Sequence, residues 1–228
     1  MMDNYSGPAL RSLEVSRAER PAIMGKVLSL LGFAFLFTAG GVAIGVNLGP
    51  GAFLISLIGS FATLIALIFL KERTPINLGL LYGFATFEGM ALGLILDTYL
   101  RNGLGLIVLD AAAATAAIGV AAGAYGATTK RDLTGLGGIL MIGLIGVIIA
   151  SVVGIFLQLP LLYVGIAAVS TLLFTGFLVY DLNRVANARN ATEGDAIWLA
   201  VSIYLDLLNL FLALLRLLSY LSGRSSDD

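Results

Sequence analysis

Residues 196–218 read AIWLAVSIYLDLLNLFLALLRLL, a run in which only Asp206 and Arg216 are charged. A helix of about 20 apolar residues is long enough to cross a bilayer. The polar residues Ser202, Asp206, Asn209 and Arg216 follow one another at helical spacing, so they lie on one face. In a membrane such a face must contact protein or water, because lipid cannot satisfy its hydrogen bonds. The run therefore predicts a transmembrane helix that other helices surround.

The rest of the chain has the composition of a membrane protein. Of its 228 residues 59% are hydrophobic and only 12% charged, and the mean hydropathy is +0.99. Soluble domains are about 25% charged. With residues 196–218, the apolar runs predict an all-α integral membrane protein, a bundle of seven transmembrane helices with a central C-terminal helix. The predicted spans are Gly25–Val46, Gly51–Leu70, Asn77–Leu96, Leu104–Tyr125, Gly135–Leu157, Leu161–Asp181 and Ala196–Leu218.

The predicted organisation is one transmembrane domain, residues 25–222, between polar tails at residues 1–24 and 223–228. Basic residues collect on the cytoplasmic side of membrane proteins, which fixes the orientation. If the N-terminus is cytoplasmic, ten of the thirteen Lys and Arg residues fall in cytoplasmic segments. The sequence thus predicts a multi-pass protein with a cytoplasmic N-terminus, in the inner membrane if the organism is a prokaryote.

Glycines at a spacing of four residues predict where helices approach closely. Gly41, Gly45 and Gly49 form one such set, and Gly89 and Gly93 form another. Small residues at this spacing allow the backbones of two membrane helices to come together. We expect these positions to pack laterally against neighbouring helices.

The chain contains no Cys and no His. The missing Cys excludes disulfides, thiol nucleophiles and cysteine-type zinc sites. The missing His removes the usual proton shuttle and the commonest metal ligand. Any response to pH near neutrality must therefore come from carboxyl groups in unusual surroundings.

Acidic residues inside a membrane are costly, which makes them functional candidates. Glu88, Asp181 and Asp206 lie within predicted spans, whereas Asp97 and Asp110 flank a loop and are expected to be solvated. Asp181 and Asp206 are equally distant from the polar turn between the last two helices. We expect their carboxyls at one level, where two such groups resist double ionisation and share a proton. The alternative is that the polar stripe only holds neighbouring helices together.

The last two helices resemble a known family. The segments FTGFLVYDLNR at residues 174–184 and SIYLDLLNLFLALLR at residues 202–216 resemble the Bax inhibitor-1 (TMBIM) family of membrane proteins. The resemblance implies a prokaryotic-type, pH-sensitive calcium leak channel gated by a di-aspartyl proton sensor, Asp181 and Asp206. It implies Ca²⁺ as the transported ion, passing transiently at the two aspartates, with no cofactor and no enzymatic activity. Glu88 resembles the acid of a Glu-Gly pair in many eukaryotic members.

The resemblance also implies a latch. In a bacterial member of the family, a basic residue that ends the second helix pairs with the sensor. Lys71 stands at that position here and Arg73 is close to it, so both are latch candidates. An acid in the second helix of that relative is replaced here by Ser60.

Two other functions remain open at this stage. One is a membrane interaction protein that regulates a protease or a cell-death or stress pathway, with membrane proteins as partners. The other is an intramembrane aspartyl protease: Tyr180-Asp181 fits its first motif, but Tyr204-Leu-Asp206 lacks the Gly-x-Gly-Asp of its second. No phosphate-binding loop or nucleic-acid-binding stripe is present in the sequence.

The orientation can be tested with reporter fusions. A topology reporter fused at residue 132 should read as cytoplasmic, and one at residue 102 as external, because the basic residues are so unevenly distributed. The reverse pattern would contradict the predicted orientation.

Overall fold

A computed structural model describes residues 8–49, 51–129, 131–188 and 191–224, with side chains described from Ile23 to Gly223. Within these ranges there are seven α-helices and no strands, and all seven are long and apolar enough to span a membrane. This confirms the predicted all-α membrane fold. The helices are α1 (Pro8–Leu48), α2 (Gly51–Leu70), α3 (Ile76–Arg101), α4 (Gly105–Thr128), α5 (Leu136–Leu157), α6 (Pro160–Asn187) and α7 (Glu193–Arg224).

The first helix begins earlier than its apolar residues. α1 starts at Pro8, whereas its membrane-spanning part starts at Ile23. Most of the segment predicted to be a polar tail is therefore helical. Proline is tolerated in the first turn of a helix, and the Arg, Glu, Leu and Ala residues that follow it are strong helix formers. Of the predicted C-terminal tail, residues 225–228 lie outside the described ranges.

The last helix occupies the centre of the bundle. It packs against α6, α4, α1 and α3. In the most apolar 18-residue stretch of α7, 61% of the residues are buried, against 6% in that of α5. Within the described ranges α5 packs only against α6. A helix that carries polar groups is thereby removed from lipid, and the prediction of a central C-terminal helix is confirmed.

A tyrosine marks the middle of this packing. Tyr204 on α7 is fully buried, and its hydroxyl lies 2.9 Å from the hydroxyl of Thr38 on α1. Phe84 on α3 packs edge-on against the Tyr204 ring, with 5.9 Å between the ring centroids. Buried Tyr hydroxyls require a partner. Thr38 supplies it and so fixes the register of α7 against α1.

The glycine spacing has the predicted effect between α1 and α3. A Cβ atom at Gly41 or Gly45 would collide with the carbonyl oxygens of Thr86 or Met90 on α3, and Gly89 is equally close to Thr38 on α1. Gly93 is also packed against α1. Gly49 instead has a positive φ of 63° and no neighbour within 4 Å, so it serves the turn after α1. The α1–α3 contact is thus backbone on backbone.

Two neighbouring glycines test this contact. Gly41→Ala should destabilise the protein by about 1–3 kcal/mol, the range for overpacking a well-packed site. Gly40→Ala is the matched control, because no atom lies within 4 Å of a Cβ there. Thermal unfolding in detergent measures both, and equal melting temperatures would contradict the close α1–α3 packing.

Candidate functional site: two buried aspartates and a guanidinium

Asp181 on α6 and Asp206 on α7 come together inside the bundle. Their side chains are buried, with 5% and 6% exposure, and the two carboxyls are within hydrogen-bonding reach of each other. Both residues lie on the central pair of packed helices. The prediction of equal height rested on a symmetric hairpin. The hairpin is not symmetric, because α6 ends at Asn187, soon after Asp181, whereas α7 begins at Glu193, well before Asp206. In the connection between the two unequal ends, the described residues 188, 191 and 192 are not helical.

A guanidinium that the sequence analysis did not select contacts this pair. Arg184 Nη1 donates a hydrogen bond of 2.8 Å to Asp181 Oδ1. The two residues are three apart on α6, a spacing that places them on one face. The Arg184 guanidinium also lies 5.6 Å from the centroid of the Tyr180 ring, a cation–π distance. The i, i+3 spacing was visible in the sequence and could have identified Arg184.

One carboxyl oxygen of the pair has no donor. Asp206 Oδ2 is buried without a hydrogen-bond partner among the described residues. Two ionised carboxylates only accept hydrogen bonds, so a bond between them requires a proton on one. The site therefore offers two carboxyls, one counter-charge and a place for one proton. An arrangement of this kind can bind and release a proton or a cation.

The latch candidates do not contact the aspartates in this structure. Lys71 Nζ lies 3.6 Å from Asp195 Oδ1 and 3.9 Å from Glu72 Oε1. Arg73 is exposed and has no ion pair within the described ranges. The expected partner of Asp181 is thus corrected to Arg184. The physical reason is proximity along one helix: Arg184 needs no movement of α2 to reach the carboxyl.

Lys71 belongs to a polar network that surrounds the α6–α7 turn. The ammonium of Lys26 on α1 and the hydroxyl of Thr74 both bind the carboxylate of Glu193, the latter at 2.7 Å. Thr192 Oγ1 donates to Glu72 Oε1 at 3.1 Å. The network therefore connects α1, the α2–α3 loop and the start of α7. We call the end of the bundle that carries it the N-terminal side.

The start of α7 carries a capping box. The amide of Thr192 donates to Asp195 Oδ2, and the amide of Asp195 donates to Thr192 Oγ1, each at 3.1 Å. Such reciprocal bonds satisfy the free amides at the N-terminus of a helix. The Thr-x-x-Asp sequence could have predicted this start, although not the contacts with Glu72 and Lys71.

Glu88 forms a separate polar contact. It is half-buried on α3, and its carboxyl is within hydrogen-bonding reach of Ser60 on α2. No base pairs with Glu88 in the described part of the chain, and neither aspartate is among its partners. The structure thus brings the carboxylate of α3 to Ser60 of α2, the position at which the family resemblance implied an acid in a bacterial member.

The polar face of α7 is enclosed for only part of its length. Ser202 and Asn209 are half-buried, whereas Arg216 is exposed. Asn209 Nδ2 donates to the Leu205 carbonyl of its own helix at 2.8 Å. Of the residues in the predicted polar stripe, Asp206 is the one that meets Asp181.

A polar cavity of about 390 Å³ opens at the N-terminal side. Arg184, Asn183, Asn187, Asp195 and Trp198 are among the residues that line it. It leads to the guanidinium that holds Asp181. The described residues include no group of three or more acidic side chains that could cage a metal ion. The pair can supply at most part of the six to eight oxygen ligands that Ca²⁺ takes, so water would have to complete them.

Removal of the guanidinium tests its pairing with Asp181. Arg184→Gln should lower stability at pH 8 by about 1.5 kcal/mol, the low end for a hydrogen bond to a charged group, because Arg184 is 43% exposed. The loss should shrink towards pH 5 as protonation removes the charge that needs a partner. Melting temperatures at both pH values measure this, with Arg73→Gln as control. A loss independent of pH would contradict the ion pair.

Comparisons with known proteins assign the family. The family model described as "Inhibitor of apoptosis-promoting Bax1" matches residues 20–223. The chain is 36% identical over 176 residues to "Modulator of FtsH protease YccA" of Escherichia coli K12, which covers 76% of this chain and 77% of the relative.

Two further relatives carry no functional name. An uncharacterized protein of Helicobacter pylori is 32% identical over 170 residues, 74% of this chain and 72% of the relative. An uncharacterized membrane protein of Streptococcus pyogenes is 34% identical over 152 residues, 64% of this chain and 65% of the relative. The family match and the seven membrane-spanning helices agree, and the chain belongs to the Bax inhibitor-1 family of multi-pass membrane proteins.

Proposed function

We propose that this protein is a pH-sensitive leak pathway for Ca²⁺ across the membrane, gated by Asp181 and Asp206. The observation that carries the proposal is the contact between two buried carboxyls on packed central helices. Buried acids at membrane depth are expensive and mark ion or proton pathways. A purely structural role would be filled more cheaply by neutral hydrogen-bonding side chains.

The gate works through the charge of the pair. With one shared proton, the two carboxyls attract each other and hold α6 against α7. When that proton leaves, two like charges a few Å apart repel by about 4 kcal/mol at an effective dielectric constant of about 20. A difference of a few kcal/mol is enough to shift a two-state equilibrium strongly. Rising pH therefore favours the open form.

Arg184 reduces the strength of this repulsion. Its guanidinium holds Asp181 and offsets part of the second negative charge. It also lines the polar cavity on the N-terminal side, where water and cations arrive. A cation that enters this cavity competes with Arg184 for the Asp181 carboxyl. Release of the guanidinium is thus a step in opening.

In this proposal the described conformation is the closed form of the pathway. On α7, fully buried Tyr204 and Leu210 lie on either side of Asp206 along the helix, and the Tyr204 hydroxyl is bound to Thr38. Separation of α6 and α7 would have to loosen this packing. With the N-terminal side in the cytoplasm, the orientation that the basic residues favour, the polar cavity is the cytoplasmic entrance.

Calcium flux in liposomes tests the proposal. Purified protein in vesicles that contain a Ca²⁺ indicator should admit Ca²⁺ faster at pH 8 than at pH 6. Asp206→Asn and Asp181→Asn should each flatten this dependence, because one titrating partner is lost. The measurement is the ratio of initial entry rates at the two pH values.

Asp132→Asn is the matched control. Asp132 lies in the loop before α5. The amide and the hydroxyl of Thr134 donate hydrogen bonds of 2.9 Å and 2.6 Å to Asp132 Oδ1, and these bonds lower the pKa of the Asp132 carboxyl. It stays ionised across the tested range, so its loss should leave the pH ratio unchanged. Parallel pH curves for the wild type and both pair variants would show that the aspartates are not the sensor.

A second candidate function is modulation of a membrane-bound protease. The name of the Escherichia coli relative favours it, and it requires membrane-protein partners instead of transported ions. The same vesicles separate the two, because a leak pathway admits Ca²⁺ without any other protein. If they admit none at either pH, the modulator function is the better account, and turnover of a membrane substrate by a co-reconstituted FtsH-type protease then tests it.

A further inference from the structure

A large apolar cavity shares no lining residue with the polar cavity. Its volume of about 880 Å³ is near the upper end of the range for ligand sites. Residues of α1, α4, α6 and α7 line it, together with Leu92 of α3. Its floor consists of buried residues of the central helices, such as Leu178 and Ile203. Leu28 on α1 and Val120 on α4, which line it too, are 49% and 75% exposed.

The cavity opens sideways into the membrane. Within the described ranges no Cα atom of α1 lies within 8 Å of one of α4, and this separation forms a mouth. The exposed side chains of Leu28 and Val120 lie at this mouth and the buried side chains lie behind it. We call the cavity and its mouth the α1–α4 groove. It faces the acyl chains of the bilayer and not an aqueous phase.

The lining is almost entirely apolar. Thr38 and Thr115 are its polar side chains, and both hydroxyls already donate within their own helices, to Ala34 and Ala111. No charged side chain lines the cavity and both hydroxyl protons are already used, so a polar ligand would find few hydrogen-bond partners there. Acyl chains are as apolar as the leucines of the floor, so a chain enters from the bilayer without loss of solvation.

The groove has the length of an acyl chain and a cation beyond its end. Along α4 the groove extends from Ala112 to Ala127, which is about 22 Å at the rise of an α-helix. One leaflet contributes about 15 Å of hydrocarbon, so the groove is long enough to hold an acyl chain of that leaflet. Arg131 follows Ala127 by four residues on the N-terminal side. It is exposed, and no carboxylate pairs with it in the described ranges, unlike Lys26 and Lys71.

We propose that the α1–α4 groove binds an anionic phospholipid, with one acyl chain in the groove and the phosphate group at Arg131. The chain fills the space that the small residues of α4 leave, and the guanidinium supplies the preference for a negative headgroup. The floor residues Leu182 and Leu207 are the sequence neighbours of Asp181 and Asp206. A bound chain therefore touches both helices of the carboxyl pair, although the binding itself does not depend on the leak function.

Photolabelling in liposomes tests the site. The full chain is reconstituted with phosphatidylglycerol or phosphatidylcholine that carries a diazirine in the same acyl chain, and labelled peptides are identified by mass spectrometry. Labelling of α6 and α7 around Leu178 and Ile203 is divided by labelling of α5, whose Ile148 is 53% exposed to lipid in any case. This ratio should be high for phosphatidylglycerol and lower for phosphatidylcholine.

Matched variants identify the groove as the route. Ala116→Phe fills the groove and should abolish labelling of the floor, whereas Ala117→Phe, also exposed but outside the groove, should leave it unchanged. Ala127→Phe, at the end of the groove, replaces Ala116→Phe if that variant does not fold. Arg131→Gln should lower the phosphatidylglycerol ratio about fivefold, the change that corresponds to about 1 kcal/mol per basic residue near the surface.

Three results would overturn the proposal. The first is a floor that neither lipid labels in the wild type. The second is an equal loss of labelling in the Ala116→Phe and Ala117→Phe variants. The third is equal labelling by the two lipids in the wild type, which would show that the headgroup is not recognised.

Discussion

Two carboxyl groups in a bundle surrounded by lipid must be kept away from hydrocarbon, and the arrangement of the helices follows from this requirement. An ionised or even a neutral carboxyl that faces acyl chains has no hydrogen-bond partner. Asp206 is therefore on the most enclosed helix, α7, and Asp181 is on the helix that packs against it. α5, which like α2 carries no charged residue, is left at the periphery.

The carboxyl pair is connected to the rest of the protein at two levels. At membrane depth, Tyr204 binds Thr38 and so fixes α7 against α1. At the N-terminal side, Glu193 binds Lys26 and Thr74, and Asp195 lies near Lys71. These ion pairs are exposed, and exposed pairs contribute little to stability individually. Their importance is geometric, because they connect the α6–α7 turn to α1 and to the segment between α2 and α3.

The two proposed functions place different demands on the same residues. A leak pathway needs the carboxyl pair to change its charge and α6 to part from α7. A modulator of a protease needs a surface that a partner recognises, and the buried pair would then serve to hold that surface in shape. The α1–α4 groove is compatible with both, since it shares no lining residue with the polar cavity.

Much of this molecule follows from the sequence alone. The seven spans, the central position of α7 and the close helix packing at Gly41 and Gly89 follow from hydropathy, polar periodicity and small-residue spacing, which are local properties of the chain. The structure adds that these glycines pack α1 against α3. The sequence also selected Asp181 and Asp206, because acids are so rare at membrane depth.

Only the tertiary structure decided which charged groups meet. The family resemblance suggested Lys71 or Arg73 for Asp181, but Lys71 is near Asp195 and Arg184 takes the place at the carboxyl. Glu88 meets Ser60, and Arg216 is exposed although it shares the helical period of Asp206. Period and composition fix the face on which a side chain lies and its approximate depth. They do not fix which of several long, flexible basic side chains reaches a given carboxylate, since that depends on the relative rotation and height of helices far apart in the chain.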